Sequence, residues 1–219
     1  MHRLLALYRS TVGKKIIMAV TGIILIGFLV THVVANLLSF QGPAKLNGYS
    51  AFLHSTGELL WLARGVLLLA LILHVLAAYQ LTRLDRAARP VGYQRKVPQS
   101  ATIASRTMRW GGVLLLAFII FHLLHFTLGT VHPSFVDGDP YHNIVAGFQG
   151  HPLVSGFYIV AMVGLGLHLY HGGSAMFQSL GLSHPSWNHD RQRLMRIVAG
   201  LVALGFAAIP IGVMLGAIR

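Results

Sequence analysis

The sequence contains no cysteine and very few charged residues. Without cysteine the chain cannot form disulfides, thiolate zinc sites or cysteine-ligated iron–sulfur clusters. Charged residues make up 10% of the 219 residues and only five are acidic, whereas a soluble domain carries about 25% charged residues. Hydrophobic residues make up 55%. This composition argues against an ordinary soluble enzyme and predicts an all-α, polytopic membrane protein.

Five long apolar runs predict five transmembrane helices in a single membrane domain covering residues 1–219. The first run is too long for the apolar region of a signal peptide, so we expect it to remain as the first span. Segment 1–15 is expected to be a short interfacial helix or a basic tail, and segment 41–58 a polar turn region. The predicted spans are 16–38, 59–82, 110–129, 153–180 and 194–218.

The basic residues are concentrated between the spans. All but three of the 17 Lys and Arg lie in segments 1–15, 83–109 and 191–196. By the positive-inside rule these segments face the cytoplasm, which places the N-terminus inside and the C-terminus outside. The net charge of +12 therefore reflects membrane topology, and no nucleic-acid partner is expected. The basic 83–109 segment also suits docking of an acidic partner.

Four histidines stand out because each lies in a different predicted span: His32, His74, His122 and His168. A neutral imidazole in lipid is costly unless something binds it. Counting residues from the basic ends places His32 and His122 in the outer half of the membrane and His74 and His168 nearer the cytoplasm. The two levels are roughly 10 Å apart at 1.5 Å per residue. This pattern predicts a five-helix bundle enclosing two bis-His b haems.

Two further histidines leave the choice of ligand open. His125 and His171 each follow a proposed ligand by three residues, so each shares its helical face and could replace it. On depth alone His125 matches His32 slightly better than His122 does, and the physical argument does not settle which histidine of each doublet binds iron. The unused histidine of each pair would hydrogen-bond a backbone carbonyl, a haem propionate or a quinone. Iron with two axial histidines has no open position, which favours electron transfer, so no catalytic residue is expected.

Charged residues near the span ends are further candidates for the cofactor sites. Arg64 could pair with a propionate or extend to the membrane surface. Arg83 and Arg109 could bind propionates of the inner haem or act only as topological charges. Glu58 could exchange protons beside a quinone or be a surface carboxylate.

Three stretches resemble a known family: LILHVLAAYQLTR, IFHLLHF and GLHLYHGGSAMFQSLGL. They are similar to the b558-type cytochrome b subunit of succinate dehydrogenase and fumarate reductase, the single-subunit dihaem anchor of bacterial complex II. The resemblance implies that the first histidine of each doublet is the haem ligand, which selects His122 and His168. It also implies that His74 and His168 bind the proximal haem and that His32 and His122 bind the distal haem.

The resemblance further implies a place in the bacterial cytoplasmic membrane and in the tricarboxylic acid cycle. A flavoprotein subunit and an iron–sulfur subunit would bind the cytoplasmic face, a quinone, commonly menaquinone, would be the redox partner, and the complex could form a higher oligomer. Alone, the chain has no dinucleotide fingerprint for succinate chemistry. The alternatives are a cytochrome b anchor of a hydrogenase or formate dehydrogenase, and a His-lined proton or metal transporter.

Overall fold

A computed structural model describes residues 10–88, 91 and 102–219. Most of the predicted N-terminal segment, and the basic residues Arg89, Arg95 and Lys96, lie outside the described residues. Within the described part all regular structure is helical, and five helices are long and apolar enough to cross a membrane. The predicted all-α, five-span membrane fold class is therefore confirmed.

We number the helices α1 to α7 in chain order. They are α1 Thr11–Leu37, α2 Pro43–Ser55, α3 Glu58–Ala87, α4 Ile103–His122, α5 Pro140–Phe148, α6 Pro152–Ser179 and α7 Asn188–Met214. The spanning helices are α1, α3, α4, α6 and α7. A 3-10 turn, Leu38–Gln41, extends α1, and a π-helical segment, Leu123–Thr127, extends α4.

Several helices begin before the apolar runs that predicted them, because polar residues at a membrane surface can continue a helix. Thr102 caps α4 by accepting a hydrogen bond from the Ser105 backbone N–H. The helix therefore begins at Ile103, seven residues ahead of Trp110, the first residue of the predicted span. The expectation of a turn region at 41–58 was wrong, since this segment contains α2. Pro43 starts α2, where its missing N–H costs nothing, and Leu46 is buried in the core.

The helices α1 and α6 form the centre of the bundle. Helix α1 packs against α3, α6 and α7. Helix α6 packs against α1, α4 and α7. Small residues permit these contacts: a Cβ added to Gly205 of α7 would lie 2.6 Å from Val33 of α1, and one added to Gly166 of α6 would lie 3.1 Å from Ala203 of α7. Because α3 packs on α1 and α4 packs on α6, these two helices lie at the flanks of the central pair.

Helices α1, α4 and α7 begin at the same end of the bundle, which we call the basic end. We call the other end the opposite end. The short helices α2 and α5 meet at the opposite end. Asn47 of α2 donates to the carboxylate of Asp139 across 2.8 Å and accepts from the Tyr141 backbone N–H across 3.0 Å. Asp139 also accepts from the His142 backbone N–H, and these hydrogen bonds lower the pKa of its carboxyl.

Candidate functional site

The structure brings the four predicted histidines together in two pairs. The rings of His32 on α1 and His122 on α4 have centroids 6.1 Å apart. Those of His74 on α3 and His168 on α6 are 6.3 Å apart. In the described chain α1 does not pack closely against α4, and α3 does not pack closely against α6. Each histidine pair therefore faces across a gap between helices.

The two pairs lie at different levels of the bundle. Thr21 and Gly22 of α1 contact His74, and His32 lies ten residues further along the same helix. On α4, Gly112 lies beside His168, and His122 again follows ten residues later. Both helices thus give a separation of roughly 15 Å. This is larger than the roughly 10 Å expected from counting residues, because the basic residues do not lie in one plane: Arg109 is already well inside α4.

The spacing of the rings fits two axial ligands on one iron atom. Two imidazole nitrogens each bound at roughly 2 Å place the ring centroids roughly 6 Å apart. Among the described residues no three His, Asp or Glu side chains are grouped to hold a bare metal ion. The donor set therefore matches a macrocyclic iron, which brings its own equatorial ligands, better than a protein-coordinated cation.

The pair formed by His74 and His168 lies nearer the basic end, and we call it the basic-end pair. Thr21 donates its hydroxyl hydrogen to the Ile17 carbonyl across 2.7 Å, so its oxygen accepts the Nδ1–H of His74 across 3.1 Å. This tautomer leaves Nε2 of His74 free to bind metal. Nδ1 of His168 is buried and has no partner in the described chain. Such an orphaned nitrogen fits a histidine whose environment a cofactor completes.

Small residues border the basic-end pair. A Cβ added to Gly22 would lie 3.6 Å from Cε1 of His74, and one added to Gly112 would lie 4.0 Å from Cε1 of His168. Any larger side chain would therefore enter the space beside these rings. The two glycines keep this level of the bundle open for a flat group.

We call His32 and His122 the opposite-end pair. Phe28 stacks on His32 at 4.9 Å, and Phe206 lies 5.6 Å from the same ring. Phe118 stacks on His122 at 5.7 Å. Aromatic walls of this kind suit a large apolar macrocycle and hold the imidazoles in fixed orientations.

His125 lies close to His122, but its ring makes no contact with His32 among the described residues. It is 1% exposed, and its Nδ1 lies 3.0 Å from the Tyr158 hydroxyl. Its ring also lies 4.9 Å from that of His132, near the opposite end. The expectation that His122 and His125 share a face assumed regular α-helical geometry, but the π segment starts directly after His122. Consequently His122 is the histidine of this doublet that faces His32.

His171 also lies apart from a pair. It is half-buried and makes no hydrogen bond or ring contact within the described part of the chain. His168 is the histidine of the second doublet that faces His74. In each doublet, therefore, only the first histidine faces a histidine of another spanning helix in the described structure.

The charged candidates all lie on exposed positions. Arg64 places its guanidinium 4.9 Å above the ring of Trp61. Arg109 forms a 2.9 Å ion pair with Asp85, and Arg83 is exposed. None of these contacts involves a histidine pair.

Glu58 is exposed too, and it is the first residue of α3, where the helix dipole stabilises a negative charge. Its position therefore has a structural explanation that does not involve a quinone.

Arg191 is a feature that sequence reasoning missed. It is 3% exposed, its Nε and Nη1 atoms have no partner in the described chain, and its guanidinium lies 5.9 Å from the Phe177 ring. It lies one turn before Met195, whose side chain occupies the space beside Gly173 of α6. The four-residue spacing of Arg191, Met195 and Ala199 along one face of α7 was the available signal. A buried guanidinium without a counter-charge is expensive, so this site suits an anionic group.

Comparison with known proteins gives one match. The family model for the succinate dehydrogenase/fumarate reductase transmembrane subunit matches residues 82–208. This region includes His122 and His168 but not His32 and His74. No curated protein and no solved structure matches the chain significantly. Because the family model covers more than half of the chain, the protein belongs to the succinate dehydrogenase/fumarate reductase transmembrane subunit family.

Proposed function

We propose that this chain is the dihaem membrane anchor of a succinate:quinone oxidoreductase. The family match supports the assignment to this complex. The two facing histidine pairs support the assignment of two haems. His74 and His168 would hold the haem nearer the basic end, and His32 and His122 the other. Such haems, each held by two histidines, would supply reversible one-electron transfer.

The chain's own residues orient these groups. Thr21 holds the tautomer of His74 that leaves Nε2 free, and Phe28 and Phe118 stack on the rings of the opposite-end pair. The buried Arg191 is a better candidate for a propionate of the basic-end haem than Arg83 or Arg109, which are exposed. An ion pair with a propionate would offset the cost of burying this guanidinium.

The topology proposed with this function places the basic end at the cytoplasmic face of a bacterial membrane. A flavoprotein and an iron–sulfur subunit would dock there, and electrons would pass between them and a membrane quinone, of the menaquinone class in keeping with the resemblance. The concentration of Arg and Lys at this end supports the orientation.

The experiment is spectroscopic. The purified complex should show a b-type α-band in its reduced-minus-oxidised spectrum and contain two haems per chain, both reduced by succinate. Absence of the band would overturn the haem assignment and favour the transporter alternative. Co-purification of a nickel or molybdenum subunit in place of a flavoprotein would favour the hydrogenase or formate dehydrogenase alternative.

Single substitutions test the ligands. His122→Ala and His168→Ala should each lose one haem, about half of the total. His125→Ala should keep both, since its ring does not face His32. His54→Ala is a matched control, because His54 is exposed on α2 and bonds only the Ser50 carbonyl. Loss of a haem from His125→Ala but not from His122→Ala would show that the choice of ligand on α4 is wrong.

A further inference from the structure

Tyr158 of α6 connects the two histidines of the α4 doublet. Its side chain is 6% exposed, and its hydroxyl lies 3.4 Å from Nδ1 of His122 and 3.0 Å from Nδ1 of His125. It is the one hydroxyl in the described structure that contacts a member of the opposite-end pair. The corresponding contact at the basic-end pair is made by Thr21.

A hydroxyl group has one hydrogen, so it can donate to only one of the two histidines. If Nε2 of His122 binds iron, its Nδ1 carries the proton and donates to the Tyr158 oxygen. The Tyr158 hydrogen is then directed at Nδ1 of His125, which accepts it at the shorter distance. In that arrangement the two histidine tautomers are coupled through one oxygen, since His122 carries its hydrogen on Nδ1 and His125 carries its hydrogen on Nε2.

The surroundings of His125 keep this acceptor in place. His132 lies 4.9 Å from the His125 ring and has its own tautomer set, because it accepts from the Ser134 backbone N–H and donates from Nε2 to the Asn143 carbonyl. A Cβ added to Gly147 would lie 3.1 Å from Cε1 of His125, so α5 packs tightly against this ring. The ring of His125 is thus held in place with its Nδ1 beside the Tyr158 hydroxyl.

We propose that Tyr158 is a positioning residue for the opposite-end haem, and that His125 orients the Tyr158 hydroxyl toward this task. This inference rests on the proposed function. A hydrogen bond accepted from Nδ1–H makes the axial imidazole more basic, which stabilises ferric relative to ferrous iron. Tyr158 therefore lowers the reduction potential of the opposite-end haem.

The test is a redox titration of the Tyr158→Phe complex, which keeps the ring and removes the hydroxyl. The component that His122→Ala eliminates should move to higher potential, with its ferrous-to-ferric ratio at a fixed potential rising about three- to tenfold. The component that His74→Ala eliminates should not move. Tyr170→Phe is the matched control, because Tyr170 lies on the same helix and its hydroxyl makes no hydrogen bond in the described structure.

A second pair of variants keeps the test independent of Tyr158→Phe. His125→Asn retains an acceptor at the δ1 position and should keep the wild-type potential, whereas His125→Leu removes it and should shift the same component upward. An unshifted component in Tyr158→Phe, or equal potentials in the two His125 variants, would overturn this inference alone. Wild-type complex without haem would overturn the proposed function as well.

Discussion

His74 and Thr21 are joined by a hydrogen bond whose direction is determined by a third group. Because the Thr21 hydroxyl donates to the Ile17 carbonyl across 2.7 Å, the 3.1 Å contact must carry the Nδ1–H of His74 toward the Thr21 oxygen. Nε2, the other ring nitrogen of His74, is then available to bind a metal. A residue of the first span thus controls the chemistry of a histidine on the second.

Thr21→Val should raise the potential of the haem held by His74 and His168. The substitution keeps the branched shape and removes the acceptor, so the imidazole becomes less basic and ferric iron is less stabilised. We expect a shift equivalent to about 1 kcal/mol, the usual value of one hydrogen bond. Redox titration measures it. Thr31→Val is the control, since the exposed Thr31 bonds only backbone carbonyls of its own helix; an equal shift in both variants would contradict the prediction.

Gly22→Leu should eliminate the basic-end haem and leave the other one bound. Even a Cβ at this position would lie 3.6 Å from His74, so a leucine would fill the space beside the ring. Haem content should fall by about half, because each histidine pair would bind one haem. Gly27→Leu is the matched control on the same helix, where an added Cβ meets nothing within 4 Å. Retention of both haems in Gly22→Leu would show that this gap is not a cofactor site.

Arg191→Gln should lower the potential of the basic-end haem. A buried positive charge disfavours ferric iron, and its removal also leaves a propionate charge without a partner. Redox titration should therefore show a downward shift, opposite in sign to that of Thr21→Val. Arg193→Gln, at an exposed position two residues later, should have no effect. If the two arginine variants titrate alike, Arg191 does not contact the cofactor.

Asp139→Asn should weaken the junction between α2 and α5. The folded-state pKa of Asp139 is lowered because the His142 backbone N–H and then the Asn47 side chain donate to its carboxylate. A carboxyl with a lowered pKa stabilises the fold at pH values above its ordinary pKa, and this contribution is lost as the pH falls through the lowered value. Thermal unfolding should thus show a lower Tm than wild type near neutral pH and a smaller difference in acid. Asp137→Asn, at an exposed position without such bonds, should unfold as wild type at both pH values.

Much of the fold could be predicted from the sequence because insertion of a helix into a membrane depends on the hydrophobicity of its own segment. Runs of apolar residues give the five spans, and the chain's composition gives the class. The family match over residues 82–208 confirms that the chain is a succinate dehydrogenase/fumarate reductase transmembrane subunit, as the resemblance implied. The dihaem type stays a prediction. The helices α2 and α5 were missed, since each is short and lies in a polar connection where hydropathy gives no signal.

The candidate site was only partly accessible from the sequence. One histidine in each of four successive spans is a local observation, and it was enough to name His32, His74, His122 and His168. Local observations were not enough to give the separation of the two levels, which is roughly 15 Å. Helices that start at different heights shift relative to one another as they pack. The separation of His122 from His125 depends on a π segment, which has no periodic signature in an apolar run.

The sequence by itself determined that this protein is a five-span helical membrane subunit with an imidazole available in each of its first four spans, because hydrophobicity and residue spacing act along a single chain segment. Only the tertiary structure decided which imidazoles face each other, that Thr21 and Tyr158 contact them, and that Arg191 is buried. Those properties depend on contacts between helices far apart in the sequence, where hydrogen-bond direction and the size of a neighbouring side chain set the outcome.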